Sequence, residues 1–255
     1  MIGIFITARL GSSRLPAKHL ITAAGRTLME WLYGRMLHEF AAEVSRKEVM
    51  IAITTSEKGG NERFLEIVKG QPVAVFFGSD NNIPQRHHDC AVTFGCSHII
   101  SVDGDDILCS AKAARAIYEA IRAGVKADIF RVEGLPLGMN LSAYSDAYLG
   151  KCLEQAHDAK YETGWGRIFR DPVVHTIQLA HYDIMGDLRF TLDYDDDARF
   201  FSEVINSLGE KTLAISDEEL ITWVQEHGFE KINAHLKEEY WNNYNAEKAK
   251  ENKTA

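Results

Sequence analysis

Short apolar runs and helical patterns alternate along the first half of the chain. Residues 2–6 (Ile-Gly-Ile-Phe-Ile) form a run that reads as a buried strand. Leu28, Leu32, Met36 and Phe40 recur every four positions, which predicts a helix. Apolar residues 49–53 give a second strand, and a turn at Gly59-Gly60 leads into a helix around 64–68. The pattern continues with a strand over 73–77, a helix over 83–94, a strand over 98–102, a helix over 111–123 and a strand over 127–131. This alternation predicts an α/β fold with a doubly wound, mostly parallel or mixed sheet. The second part is less regular. It predicts a short strand at 141–144, a helix over 145–156, strands over 172–178 and 188–192, a helix over 196–208 and helical segments over roughly 216–241. One domain over 1–243 is expected. Residues 244–255 are rich in Lys, Glu and Asn with no apolar face, which predicts a disordered tail.

The first strand empties into Ala8-Arg9-Leu-Gly11-Ser12-Ser13-Arg14-Leu-Pro16-Ala-Lys18. Gly11 lets the backbone approach a ligand, and the serine hydroxyls and backbone N–H groups can donate to it. Arg9, Arg14 and Lys18 place three cations on one short loop, enough to neutralise several anionic oxygens. A triphosphate is the natural occupant. The loop has neither the Gly-x4-Gly-Lys-Ser/Thr pattern nor the Gly-x-Gly-x-x-Gly fingerprint, so two common phosphate motifs are excluded. The strand over 98–102 ends in Asp103-Gly104-Asp105-Asp106, and a second cluster, Asp193-Tyr-Asp195-Asp196-Asp197, follows residues 188–192. Carboxylates at strand ends suit Mg²⁺, which prefers oxygen ligands together with phosphate oxygens and water. Ligands of doubly wound sheets sit beyond the carboxyl ends of the strands, so the basic loop and the acidic cluster are expected to face one crevice. Asp195, Asp196 and Asp197 read as the start of a helix, where negative charge is favourable.

Composition narrows the partners. The 255 residues carry a net charge of -9, which offers no long basic face for a nucleic-acid backbone. Cys90, Cys96, Cys109 and Cys152 form neither Cys-x-x-Cys nor a zinc spacing and read as buried thiols in a reduced cytoplasm. The first residues lack the basic segment of a signal peptide, and no apolar run is long enough to cross a membrane. Adjacent His87 and His88 cannot both point one way on a helix and read as surface or partly packed residues.

The segment from Ala8 to Lys18 resembles the N-terminal signature of the cytidylyltransferases that make CMP-linked acidic sugars, closest to the SpsF-like spore-coat polysaccharide branch. That resemblance, which continues as scattered matches to about residue 205, implies a Rossmann-like nucleotidyltransferase fold. It implies a nucleotide-binding part over about 1–130 and an acceptor-binding part over about 131–243. The activity implied is Mg²⁺-dependent coupling of CTP to a small anionic sugar-like acceptor, for a surface polysaccharide or secondary metabolite, with release of pyrophosphate. Arg9, Arg14 and Lys18 would hold the phosphates, with Ala8, Gly11, Ser12, Ser13 and Gly104 around the nucleotide. Asp105 and Asp193 would be the metal ligands. Arg86, in Gly78-Ser-Asp-Asn-Asn-Ile-Pro-Gln-Arg86, would touch base or ribose. Asn140, Trp165 and Arg167 lie in segments that face the acceptor in relatives. The chain departs from the pattern at Ile107 in place of Pro, at Gly164 in place of an acid and at Gly60-Asn61 in place of two acids. A homodimer is carried as an expectation. Two alternatives stay open: a metal-dependent glycosyltransferase, since Asp103-Gly-Asp105 is also an Asp-x-Asp motif, and a nucleotide-binding regulator without turnover.

Overall fold

In the computed structural model, residues 1–156, 160–162, 164–179 and 188–236 are described. In chain order they form β1 (Ile2–Thr7), a small hairpin of β2 (Thr22–Ala23) and β3 (Arg26–Thr27), α1 (Leu28–Glu39), α2 (Ala41–Ser45), β4 (Val49–Thr55), α3 (Phe64–Ile67), β5 (Val73–Phe77), α4 (Ile83–Phe94) and β6 (His98–Asp103). There follow α5 (Ala111–Arg122), β7 (Ile129–Glu133), β8 (Ser142–Ser145), α6 (Asp146–Glu154), β9 (Val174–Gln178), α7 (Asp195–Leu208) and α8 (Asp217–Glu226). The expected tail and the end of the last helical region lie outside the described residues.

Seven strands make one sheet in the order β5-β4-β1-β6-β8-β7-β9. All run the same way except β8, which is antiparallel to β6 and to β7. Alternation along β1 shows how the layers arise. Ile4 and Ile6 face the larger core with α1, α5 and α7, while Phe5 faces the smaller core with Ala91 of α4 and Leu149 of α6. The four-residue spacing of α1 buries Leu28, Leu32 and Met36 against the sheet. That helix starts with a capping box: Thr27 Oγ1 accepts from Glu30 N–H at 3.2 Å, and Glu30 Oε2 accepts from Thr27 N–H at 2.6 Å.

The stretch 188–192 is not a strand of the sheet. It makes a single parallel bridge, Arg189 with Leu137, and otherwise threads between loops. Phe190 N–H donates to Leu137 O at 2.8 Å and Leu192 N–H to Asp105 O at 2.9 Å. Its apolar alternation reflects burial of Leu188, Phe190 and Leu192 beyond the strand ends rather than membership of a ladder. Gly138 allows this passage, because a Cβ there would stand 2.1 Å from Phe190 O on a backbone with φ +85°. The four cysteines are free and buried, and burial pushes the Cys96 thiol up to about 11. Among the described residues no helix is long and apolar enough to cross a membrane.

Candidate active site

β1 and β6 are neighbours in register, so Thr7 and Asp103 end side by side. Immediately beyond, Gly104 N–H donates to Thr7 O at 2.8 Å. A Cβ on Gly104 would lie 2.6 Å from Thr7 O and 2.9 Å from Ala8 Cβ, so the two loops can cross this closely only at glycine. The basic loop is anchored at its base by buried Leu10 and Leu15. Leu10 N–H donates to Asn61 Oδ1 at 2.7 Å, and Asn61 Nδ2 donates to Ser56 O at 3.0 Å. Ser12 Oγ accepts from Leu15 N–H at 3.3 Å, closing a turn at the loop's tip.

This loop forms one wall of a cavity of about 590 Å³. Arg9, Arg14 and Lys18 all line it, as do Ala8, Ser12 and Ser13. Asp103 to Asp106 and Asp193 form the facing wall, and Glu162 and Trp165 stand at its rim. Lys18, almost fully buried, directs its ammonium to Asp105 Oδ2 at 2.7 Å and lies 3.7 Å from Asp193 Oδ1. It also donates to Leu192 O at 2.6 Å. Arg14 pairs with Asp193 at 2.6 Å. Arg9, half exposed, pairs with Glu162 across the mouth.

Asp193 is the most heavily clamped carboxylate of the cavity. Besides Lys18 and Arg14, buried Arg189 donates to it at 3.0 Å. The same guanidinium grips Asp197 of α7 at 2.9 Å, and Asp197 Oδ2 accepts from Asp193 N–H and Tyr194 N–H. Asn233 completes the brace by donating to Asp197 Oδ1 and to Arg189 O. Asp195, Asp196 and Asp197 thus stand in the first turn of α7, after Tyr194 at its N-cap.

The facing carboxylates have unequal charge states. Burial alone would push Asp105 up, but Lys18 and His19 outweigh it and hold its carboxyl well below the usual range. Asp103 is pushed up to about 6 by burial and by the charges of Asp105 and Asp193. Asp106 is raised further, by burial and then by Asp103 and Asp105. These carboxylates form a donor set of hard oxygens, the ligand type Mg²⁺ prefers. Among the described residues no three His, Cys, Asp or Glu side chains are grouped to hold a metal ion. Asp105 and Asp193, both reached by one ammonium, supply two oxygen donors, and Mg²⁺ commonly takes one or two carboxylates with water and phosphate completing the shell. The residues present fit that ion.

The remaining expected site residues are placed unequally around the cavity. Arg86 lines the cavity but is buried, and it donates to Ser79 O at 2.8 Å, Asp80 O at 3.1 Å and Thr54 O at 3.3 Å. It braces the loop after β5 rather than presenting a free fork. Gly11 is exposed, with open space where a Cβ would stand, and is not part of the lining. Arg167 also lies off the cavity: it donates to Lys160 O at 2.7 Å and stacks 4.7 Å over the Tyr161 ring. Asn140 does line the cavity while bridging Leu135 and Pro136 through their carbonyls. Trp165 both lines the cavity and packs edge-on against His87 and Tyr144.

His87 is fully buried, not a surface residue. It bonds Thr7 Oγ1 at 2.7 Å through Nε2 and the Tyr144 hydroxyl through Nδ1. Burial, and then the charge of Arg86, push it down to about 3, so it is neutral. His88 is partly exposed and pairs with Asp146 at 2.8 Å. Three residues escaped sequence reasoning. Buried His19, whose Nε2 lies 3.4 Å from Asp105 Oδ1, sits one place past Lys18. Asn61 was visible only as a departure from the acids of relatives. Arg189 carried no signal beyond its four-residue spacing from Asp193.

Comparison with known proteins agrees with this geometry. A cytidylyltransferase family model matches residues 3–163. An uncharacterised protein of Methanocaldococcus jannaschii, MJ1063, is 25% identical over 209 residues, covering 80% of this chain and 82% of its own. The fold is shared with a solved cytidylyltransferase from Leptospira borgpetersenii (TM-score 0.73, 21% identity, covering 90% of this chain and 95% of that one). It is shared also with CMP:2-keto-3-deoxy-manno-octonic acid synthetase, solved with CTP (TM-score 0.59, 14% identity, 81% and 98% covered). A family match spanning well over half the chain, on a fold whose strand ends bring a triphosphate-sized basic loop against a carboxylate floor, places this chain in the cytidylyltransferase family of nucleotidyltransferases.

Proposed function

We propose that this protein transfers CMP from CTP to a small acceptor bearing negative charge, with Mg²⁺ bound by Asp105 and Asp193. The observation that carries the reading is Lys18, buried between those two carboxylates and continuous with Arg14 and Arg9 along one wall. An acceptor oxygen attacks the α-phosphorus. The new O–P bond forms as the bridging bond to the β-phosphate breaks, and pyrophosphate leaves with the electron pair. An acceptor phosphate or carboxylate is already ionised and transfers no proton; a hydroxyl acceptor loses its proton to water. The protein's part is positioning and charge neutralisation. Lys18 and Arg14 meet the leaving pyrophosphate, Ser12 and Ser13 donate to phosphate oxygens, and Arg9 exchanges Glu162 for the triphosphate. Mg²⁺, when bound, would neutralise phosphate charge and polarise the α-phosphate.

Cytidine is supported by family membership and by the CTP found with the octonic acid synthetase that shares the fold. Four buried thiols suit a reducing cytoplasm, where activated sugars for surface polysaccharide are made. The test is pyrophosphate release from CTP with Mg²⁺ and a panel of acidic acceptors. Release from CTP well above that from ATP, GTP and UTP is expected. Equal release from all four would overturn the cytidine assignment.

A further inference from the structure

A second cavity, of about 390 Å³, opens beside the first. The two share Asp103, Asp106, Asn140 and Trp165 in their walls, so an occupant of one meets an occupant of the other at the acidic floor. Strand register defines the second cavity's far end. Ser101 of β6 faces Ser142 of β8, which faces Arg131 of β7. One step nearer the mouth come Asp103, Asn140 and Glu133, all in the same lining. Two inter-strand spacings separate β6 from β7, so Arg131 and Glu133 stand on the order of 10 Å from the Asp103 column.

Arg131 and Glu133 are two positions apart on one strand and so share a face. Both are exposed, and neither side chain makes a hydrogen bond or ion pair among the described residues. Nearer the junction, Asp103 and Asp106 add further carboxylates, and Arg131 is the one cation of the lining among the described residues. A purely anionic acceptor would meet one favourable charge and at least two unfavourable ones. An acceptor with an ammonium as well as an acid at its far end would satisfy Glu133 and Arg131 together.

We infer that this second cavity is the acceptor site and takes a small amphoteric acceptor. Its attacking oxygen lies towards Asp103, its ammonium meets Glu133 and its acid group meets Arg131. Trp165, held edge-on by Tyr144 and Phe169, supplies a flat apolar wall for the carbon chain between. With a phosphate as attacking group, its oxygen bonds to the α-phosphorus, the bridging bond to the β-phosphate breaks and pyrophosphate leaves with the electron pair. No proton moves, and the product is a CDP-linked compound. This inference rests on the nucleotidyl-transfer reading above.

The test is calorimetric binding of three matched phosphates to protein holding Mg²⁺ and a CTP analogue with a methylene α–β bridge. O-phosphoserine carries both ammonium and acid, 3-phosphoglycerate lacks the ammonium and phosphoethanolamine lacks the acid. O-phosphoserine is expected to bind at least tenfold more tightly than either of the others. Glu133→Gln should erase its advantage over 3-phosphoglycerate, and Arg131→Met its advantage over phosphoethanolamine. Binding of 3-phosphoglycerate as tight as that of O-phosphoserine, binding of none of the three, or undiminished discrimination in Glu133→Gln would overturn the inference while analogue binding keeps the nucleotidyl-transfer reading intact. Failure of wild-type protein to bind the analogue would overturn both.

Discussion

The Lys18 ammonium lies 2.7 Å from the carboxylate of Asp105, and this contact joins the basic loop to the acidic end of β6. Lys18 sits among carboxylates in the free protein and would face them and the leaving pyrophosphate together once CTP enters. Removing it costs most in the transition state, where charge on the pyrophosphate grows. Lys18→Ala is expected to lower turnover by about 10²–10³-fold, the scale for loss of one preorganised electrostatic donor. Steady-state pyrophosphate release at saturating CTP measures it; a loss below fivefold would remove Lys18 from the phosphate site.

Asp105 and Asp193 differ in what surrounds them, so their isosteric variants should part company. Asp105→Asn and Asp193→Asn are both expected to lose Mg²⁺-dependent turnover. Only Asp193→Asn leaves a fully buried guanidinium, Arg189, short of a partner. Arg189 keeps Asp197, so the cost falls below the about 3–5 kcal/mol of a wholly broken buried pair, and a fall in urea midpoint is expected for Asp193→Asn that exceeds the fall for the partly exposed Asp105→Asn. Equal midpoints for the two variants would show that the clamp on Asp193 contributes little to stability.

CTP should raise the melting temperature. A ligand bound by the folded state alone stabilises it by about 2.7 kcal/mol at a hundred times its dissociation constant. With Mg²⁺ present, CTP is expected to shift the transition more than ATP, GTP or UTP in differential scanning fluorimetry. Equal shifts would leave a triphosphate site without base selectivity.

His87 imposes an acid limit on stability. Its ordinary value of 6.5 falls to about 3 in the folded protein. Between these values the unfolded chain binds a proton that the folded one refuses. Stability therefore falls as pH drops below 6.5, by about 1.4 kcal/mol per pH unit from this one group, until pH approaches 3. His87→Asn removes the ionisation but also perturbs the bonds to Thr7 and Tyr144. It is expected to be less stable than the parent at pH 8, with the gap narrowing as pH falls to 5. Parallel stability curves for the two proteins would contradict a neutral buried imidazole.

Gly138 is where a single methyl should be intolerable. Alanine there would press its Cβ onto Phe190 O and hold an unfavourable φ. A destabilisation of about 1–3 kcal/mol from backbone strain alone is expected, and more with the clash. Since the displaced chain leads to Asp193, turnover should fall with stability. Thermal unfolding and pyrophosphate release measured on the same Gly138→Ala sample check both.

Much of this was legible in the sequence because strand and helix periods are local. The elements over 73–77 and 83–94 fall where apolar pattern put them. The basic loop was legible because Arg9, Arg14 and Lys18 lie on one short local segment. The resemblance read from that loop is borne out at the level of the cytidylyltransferase family, and with it a nucleotidyltransferase. What stayed hidden depends on who packs against whom. Arg86 reads as a ligand contact in a motif, yet three carbonyls from β4 and the loop after β5 take its guanidinium. His87 and His88 look equivalent until α4 turns one inward onto Thr7. Residues 188–192 carry strand-like alternation, but nothing local reveals that they run past the sheet's end. The antiparallel direction of β8 likewise follows from long-range pairing, with no mark in its four residues.

The brace from Asn233 through Asp197 and Arg189 to Asp193 has a consequence for where the protein may be cut. The family model matches residues 3–163, and a fragment ending there keeps the basic loop and Asp105 but loses Asp193. Even a fragment ending just short of residue 233 would retain Asp193 and Arg189 while losing the amide that holds Asp197 Oδ1 and the Arg189 carbonyl in place. Asp193 is thus held from beyond the matched span, by a residue that does not itself line either cavity.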